Sequence, residues 1–326
     1  MSAELRRKLA HEVTQKATHT PGQGNRSGAA GVIEEHSGEN ARKAGRHSRG
    51  MRRRRFTRGH RAGLVGLVLV VAIVLLAIAA TWCYPGDPMD MVGPPSLWPG
   101  ADARFPLGTD NMGRNLASGL LHGARVSLLV GACSAGIAIG VGITIGAIAG
   151  YIGGRIDDLL MRVTELFQTM PSFLFTIVLV VVFGSTLPVI TLAIGFTSWP
   201  QVARLVRAES LRIRETDYVR AALTMGMGHL RILRLHVIPN SISPVIVLSA
   251  VLIGQAILTE ASLSFLGLGD PDVVSWGMLV ATGRPLLRTD WYMTVVPGLA
   301  ILVAVTGFML LGNWLNDHLN PRDGGH

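Results

Sequence analysis

Residues 166–203 read LFQTMPSFLFTIVLVVVFGSTLPVITLAIGFTSWPQVA, with no Asp, Glu, Lys or Arg. As one α-helix, rising about 1.5 Å per residue, this stretch would reach nearly twice the roughly 30 Å of hydrocarbon in a bilayer. It must fold back. Gly184-Ser185-Thr186-Leu187-Pro188 supplies the turn chemistry for that reversal.

Four further stretches lack the same residue types: 62–86, 126–154, 235–259 and 291–316. Each is longer than the roughly 20 residues that a crossing needs. Lipid offers no partner for a free amide group, so these segments are helical. With the long stretch counted twice, the chain reads as an all-α polytopic membrane bundle of about six transmembrane helices. Composition agrees, at 49% hydrophobic and 16% charged residues, against about 25% charged in a soluble domain.

Charge sets the orientation. Ten basic residues and no acidic one lie from Arg42 to Arg61. Such a run could bind nucleic acid. Directly ahead of an apolar segment it reads instead as a cytoplasmic anchor, gaining about 1 kcal/mol per residue near an anionic leaflet, and no nucleic-acid partner is expected. Six crossings return both termini to the cytoplasm. The loop between the fourth and fifth crossings is then cytoplasmic, and it carries Arg204, Arg207, Arg212, Arg214, Arg220, Arg231 and Arg234 against Glu209, Glu215 and Asp217. The external loops, 87–125 and 270–290, lack that excess.

Residues 1–60 form a polar, basic cytoplasmic extension too poor in apolar surface to fold, and 323–326 a short tail. Met51 opens a shorter N-terminus. Arg53-Arg54-Arg55-Phe56 resembles a twin-arginine signal, but the apolar run after it is long enough to span. Ala80-Thr81-Trp82 is the wrong lead for a lipoprotein cysteine at Cys83. Cys83 and Cys133 read as free apolar thiols.

Within the spans, Gly136 and Gly140, and Gly142, Gly146 and Gly150, recur every four residues, a spacing that lets helices approach closely. Asp157, Asp158, Arg162 and Glu165 read as first-turn acids and i,i+4 pairs. An intramembrane acid is a functional candidate by default. Glu260 is therefore a candidate for the substrate pathway or gate, with interface pairing as the plainer reading. Met170-Pro171 predicts a kink and joins it as a pathway candidate. His229 and His236, seven apart, are too few ligands for a metal, and no metal site is expected.

The loop at about 204–240 is the most distinctive segment. Thr216 or Asp217 can N-cap a short helix, Gly226 can end it in a left-handed conformation, and Pro239 stops or kinks the chain where it re-enters the membrane. The product is a short helix across the membrane face, displaying Ala221, Ala222, Tyr218 and Arg220 to a soluble partner.

This loop resembles the EAA loop of binding-protein-dependent ABC permeases. Ala221, Ala222, Gly226 and Pro239 fit its pattern, Ile238 replaces a Leu, and His236 stands at the apolar position. Arg220 stands where the pattern has Glu, which removes an acidic group from that surface. Phe105-Pro106-Leu107-Gly108-Thr109-Asp110-Asn111-Met112-Gly113-Arg114, Gly123-Ala124-Arg125-Val126-Ser127-Leu128, Ala149-Gly150-Tyr151-Ile152-Gly153-Gly154, residues 260–269 (EASLSFLGLG) and Leu319-Asn320-Pro321-Arg322 resemble the C-type permease subunits of dipeptide, oligopeptide and nickel importers. The likeness covers about residues 61–322.

The resemblance implies a type I importer permease core in a bacterial inner membrane. Its partners would be a second permease subunit, two cytoplasmic ATPase subunits and an extracytoplasmic substrate-binding protein. Tyr218, Val219, Arg220, Ala221, Ala222, Gly226, His236 and Pro239 would couple to the ATPases. The chain lacks a GxxxxGK[ST] loop, so ATP and Mg would be used by the partners, with no cofactor bound here and no enzyme activity of its own. The cargo would be di- or oligopeptides, or alternatively nickel chelates or another small ligand. A proton-coupled secondary transporter would need ionisable groups deep in the spans, which the charge-free stretches lack.

Overall fold

The computed structural model describes residues 62–319. The expectations for residues 1–60 and 323–326, and for most of the motif at 319–322, lie outside them. Nine α-helices follow in these residues, besides a 3-10 turn at Arg284–Leu286: α1 (Ala62–Cys83), α2 (Leu116–Ile152), α3 (Gly154–Thr169), α4 (Ser172–Phe183), α5 (Leu187–Arg214), α6 (Asp217–Thr224), α7 (His229–Phe265), α8 (Trp276–Gly283) and α9 (Tyr292–Leu319). Five are long and apolar enough to cross a membrane, and α3 with α4 makes a bent sixth. The all-α polytopic reading holds.

The reversal falls where the turn residues put it. Gly184 sits at φ +100°, and Pro188 lies in the first turn of α5, where a missing amide hydrogen costs nothing. The first limb differs from expectation. Residues 166–169 finish α3, and α3 meets α4 at 83° across Met170-Pro171. Proline cannot donate to the turn before it and clashes with it, so the predicted kink is a full break. The twelve residues of α4 alone, at about 18 Å, are too short to cross hydrocarbon.

Charge marked other boundaries too early or too late. Asn115 caps α2 by accepting hydrogen bonds from the amides of Ala117 and Ser118, so the helix starts ten residues before the apolar stretch begins. Arg125 sits inside that helix and donates to Thr81 Oγ1 at 2.8 Å. Helix α5 continues through the arginines to Arg214 before the chain turns.

The glycines explain the tightest packing. A Cβ on Gly150 would stand 2.5 Å from the Arg207 carbonyl, and Gly142 and Gly146 face Val202, Ala203 and Val206. Helices α2 and α5 thus meet backbone to backbone, which van der Waals contact favours in lipid. Gly136 and Gly140, in contrast, have open space beside them; their spacing serves no contact among the described residues. Helices α1 and α9 close the bundle through Ile73, Ala77, Ile301, Ala304 and Phe308.

The segment between α1 and α2 is built by the FPLGTDNMGR motif. Asp110 Oδ1 accepts the amides of Met112 and Arg114, each at 2.8 Å. Gly113 takes φ +81° with its α-carbon against the Gly93 carbonyl. The Tyr292 hydroxyl lies 2.9 Å from Leu97 O and 3.0 Å from Thr109 O, pinning this cap to the start of α9. At the same end, Asp270 accepts the amide of Leu187 at 2.7 Å.

Candidate functional site

Two features stand out, one at each place the sequence singled out. The first is the hairpin of α6 and the start of α7. Val219 and Ala222 point inward and pack with Ile213, Ile232, Val237 and Tyr151. Thr216 is the N-cap, but its hydroxyl turns back to Ile213 O at 2.6 Å rather than capping. Met227 donates to Ala222 O at 3.1 Å around Gly226, whose φ of +80° costs a glycine little. The Tyr151 hydroxyl meets His229 Nδ1 at 3.0 Å, which ties the hairpin to the end of α2.

The outward side of this hairpin exposes a cluster of apolar side chains. Met225 is 76% exposed and Leu230 72%, beside exposed Tyr218, Ala221 and Leu223. Arg220 is exposed and has no ion-pair partner among the described residues. The expectation that Ala221 and Ala222 are both displayed is corrected: one hundred degrees of helical rotation separates neighbours, and Ala222 is buried.

Pro239 does not stop the chain. A π-helical turn, Leu233–Val237, precedes it, and the helix runs on to Phe265. The wider turn absorbs the lost amide donor, and Asn240 Nδ2 donates to the His236 carbonyl at 2.6 Å. The same turn parts the two histidines. His229 pairs with Tyr151, while the His236 ring packs against Tyr218 with centroids 5.9 Å apart.

The second feature is a groove of about 450 Å³ where α3 breaks from α4. Met170 and Pro171 line it, as the kink suggested, together with residues of α5 and α7. Its polar groups, including Gln168, Gln201 and Gln255, escaped the sequence reading. Neutral side chains scattered through apolar runs leave the hydropathy pattern intact, so only a helical-wheel alignment of three separate helices could have gathered them.

Glu260 lies elsewhere. It is 2% exposed and faces α8, where its Oε1 accepts from Ser275 Oγ at 2.7 Å and Ser264 Oγ at 2.9 Å. Ser275 also caps α8 by accepting from Met278. The acid therefore holds the connection between α7 and α8.

One further ion pair replaces the expected i,i+4 set. Asp157 on α3 takes the Arg207 guanidinium in two bonds, 2.5 and 2.6 Å. On the cap, Arg104 hydrogen-bonds Asp102 and holds that carboxyl below the usual carboxylate range. A depressed group keeps its interaction until pH falls through its folded value, so this exposed pair persists at neutral pH.

Comparison with known proteins places these features in context. Residues 142–323 match the family of binding-protein-dependent transport system inner membrane components, and residues 50–97 match the N-terminal transmembrane domain of oligopeptide transport permease C. The chain is 38% identical to the di/tripeptide transport system permease protein DppC of Pseudomonas aeruginosa, over 76% of this chain and 83% of that one. It is 38% identical to the dipeptide transport system permease protein DppC of Escherichia coli, covering 76% and 84%. With the probable D,D-dipeptide transport system permease protein DdpC of Escherichia coli it shares 34% identity over 77% and 84%.

Proposed function

Since the chain belongs to the family of binding-protein-dependent transport system inner membrane components, we propose that it is the permease subunit of an ATP-driven importer of di- and oligopeptides. The carrying observation is the hairpin 216–240. Its exposed apolar cluster is presented on a helix whose inner face is locked into the bundle, so a push on the one reaches α2, α5 and α7 through the other. We assign it to docking a cytoplasmic ATPase subunit, with Tyr218, Ala221, Met225 and Leu230 as the contact and Val219, Ala222, Gly226, His236 and Pro239 as its support. Arg220 gives this surface a cation.

In this reading a second permease completes the pathway. Two ATPases burn ATP with Mg, and a binding protein delivers cargo to the cap at 84–115. Both termini are cytoplasmic. Switching such a bundle from about 1:99 to 99:1 takes roughly 5.5 kcal/mol of differential binding, which ATP bound between two ATPases can supply. The names of the relatives favour peptides as cargo. The test is uptake of Ala-Ala by proteoliposomes containing the assembled complex, with ATP inside and the binding protein outside. Vanadate-sensitive accumulation is expected; accumulation driven by a proton gradient without ATP would sink the proposal.

A further inference from the structure

The groove at the α3–α4 break is lined without a single Asp, Glu, Lys, Arg or His among the described residues. Four of its five hydroxyls already donate to carbonyls or to each other, Thr176 Oγ1 meeting Thr197 Oγ1 at 3.0 Å across two helices. Thr176 Oγ1 donates to Ser172 O, Ser198 Oγ to Ile194 O and Thr259 Oγ1 to Gln255 O, each at 2.8 Å. The glutamines are only weakly engaged. Gln201 on α5 and Gln255 on α7 face each other with Nε2 and Oε1 3.5 Å apart, the outer limit of a hydrogen bond.

A primary amide offers two donors and a carbonyl with two lone pairs, the same chemistry as a peptide bond. Gln201 lies about 20 Å along α5 from Leu187, and Gln255 about 15 Å along α7 from Phe265. Both are therefore at membrane depth, where two amides joined only at the outer limit of a hydrogen bond keep donor and acceptor capacity for a further partner. A charged side chain there would favour peptides of opposite charge and reject those of like charge. None is present.

Resting on the peptide-importer reading, we propose that Gln201 and Gln255 form a neutral amide rung that hydrogen-bonds the backbone of a peptide in transit. The rung reads neither the cargo's side-chain charge nor its termini. Peptides of any charge that the binding protein delivers pass it alike.

The whole importer in proteoliposomes tests this, with labelled Ala-Ala, Lys-Lys and Asp-Asp as probes. Gln201→Leu combined with Gln255→Leu is expected to lower uptake of all three by about tenfold, the effect of losing one or two neutral hydrogen bonds. ATP hydrolysis stimulated by the loaded binding protein should stay within about twofold of the parent. Gln201→Glu supplies a readout that a packing role would not move: the ratio of Lys-Lys to Asp-Asp uptake should rise about tenfold. The binding protein is common to both arms, so the ratio isolates the permease. Uptake unchanged in the double variant, or a ratio unmoved by Gln201→Glu, overturns the rung. If the leucine variant does not assemble, the ratio alone decides. A parent complex that hydrolyses ATP yet moves none of the three peptides overturns the peptide reading itself, and the rung with it.

Discussion

At Glu260 a buried carboxylate serves two serine hydroxyls from different elements. Glu260→Ala leaves both donors without an acceptor in a closed site, a loss of about 1–3 kcal/mol for each unsatisfied group. Glu260→Gln keeps an oxygen in place and should cost far less. Thermal unfolding in detergent is expected to rank wild type above Gln and Gln well above Ala; equal transitions for Gln and Ala would remove the serine clamp. Gly150 makes the opposite kind of prediction. A leucine there would need the space held by the Arg207 backbone, and overpacking of this kind costs about 1–3 kcal/mol or more. Gly136→Leu, on the open side of the same helix, should leave the unfolding transition of the isolated chain nearly unmoved.

Among the elements, α6 was legible before any coordinate, because its ends are written locally. Gly226 needs only its own backbone to terminate a helix; the inward face of α6 was not legible, since Ala222 was expected on the displayed side and is buried. Met225→Glu places a charge on the outer face without touching that inner packing. It should reduce co-purification of the ATPase subunits and uptake together by tenfold or more, in the manner of a hot-spot residue, while the chain still inserts and folds; retained co-purification would remove the docking assignment. The α3–α4 break was only half legible. Met170-Pro171 announced a kink, but whether a proline bends a helix or ends it depends on what packs around it. Here Phe167 meets Phe196 and Trp199 edge to face, with centroids 5.5 and 5.3 Å apart, and Asp157 grips Arg207. These contacts join α3 to α5, the helix that leads into the docking hairpin. Asp157→Asn should therefore loosen the hairpin's hold on the groove: uptake per ATP hydrolysed falls, whereas total hydrolysis does not. A proportional fall in both would mean that the pair only stabilises the fold.

For the whole molecule, orientation is the property on which the transport reading stands. With Cys83 and Cys133 replaced by serine, a single cysteine at Met225 should react with an impermeant maleimide only from the cytoplasmic side. One at Met91, exposed on the cap, should react only from the outside. Labelling of both from one side would contradict an even number of crossings. The sequence by itself determined the helical class and the reversal at Gly184, because in lipid a backbone has no alternative to internal hydrogen bonding; of the six crossings it led one to expect, five are single long helices and the sixth is the bent α3–α4 pair. Only the tertiary structure decided which side chains meet. Asp157 and Arg207 stand 50 residues apart, Glu260 and Ser275 15 apart, and the groove glutamines sit on separate helices. Periodicity gives each helix a face but not the neighbour it turns to; that choice is made by close packing, where the absence of a Cβ at Gly142, Gly146 and Gly150 sets α2 against α5 and so places everything else.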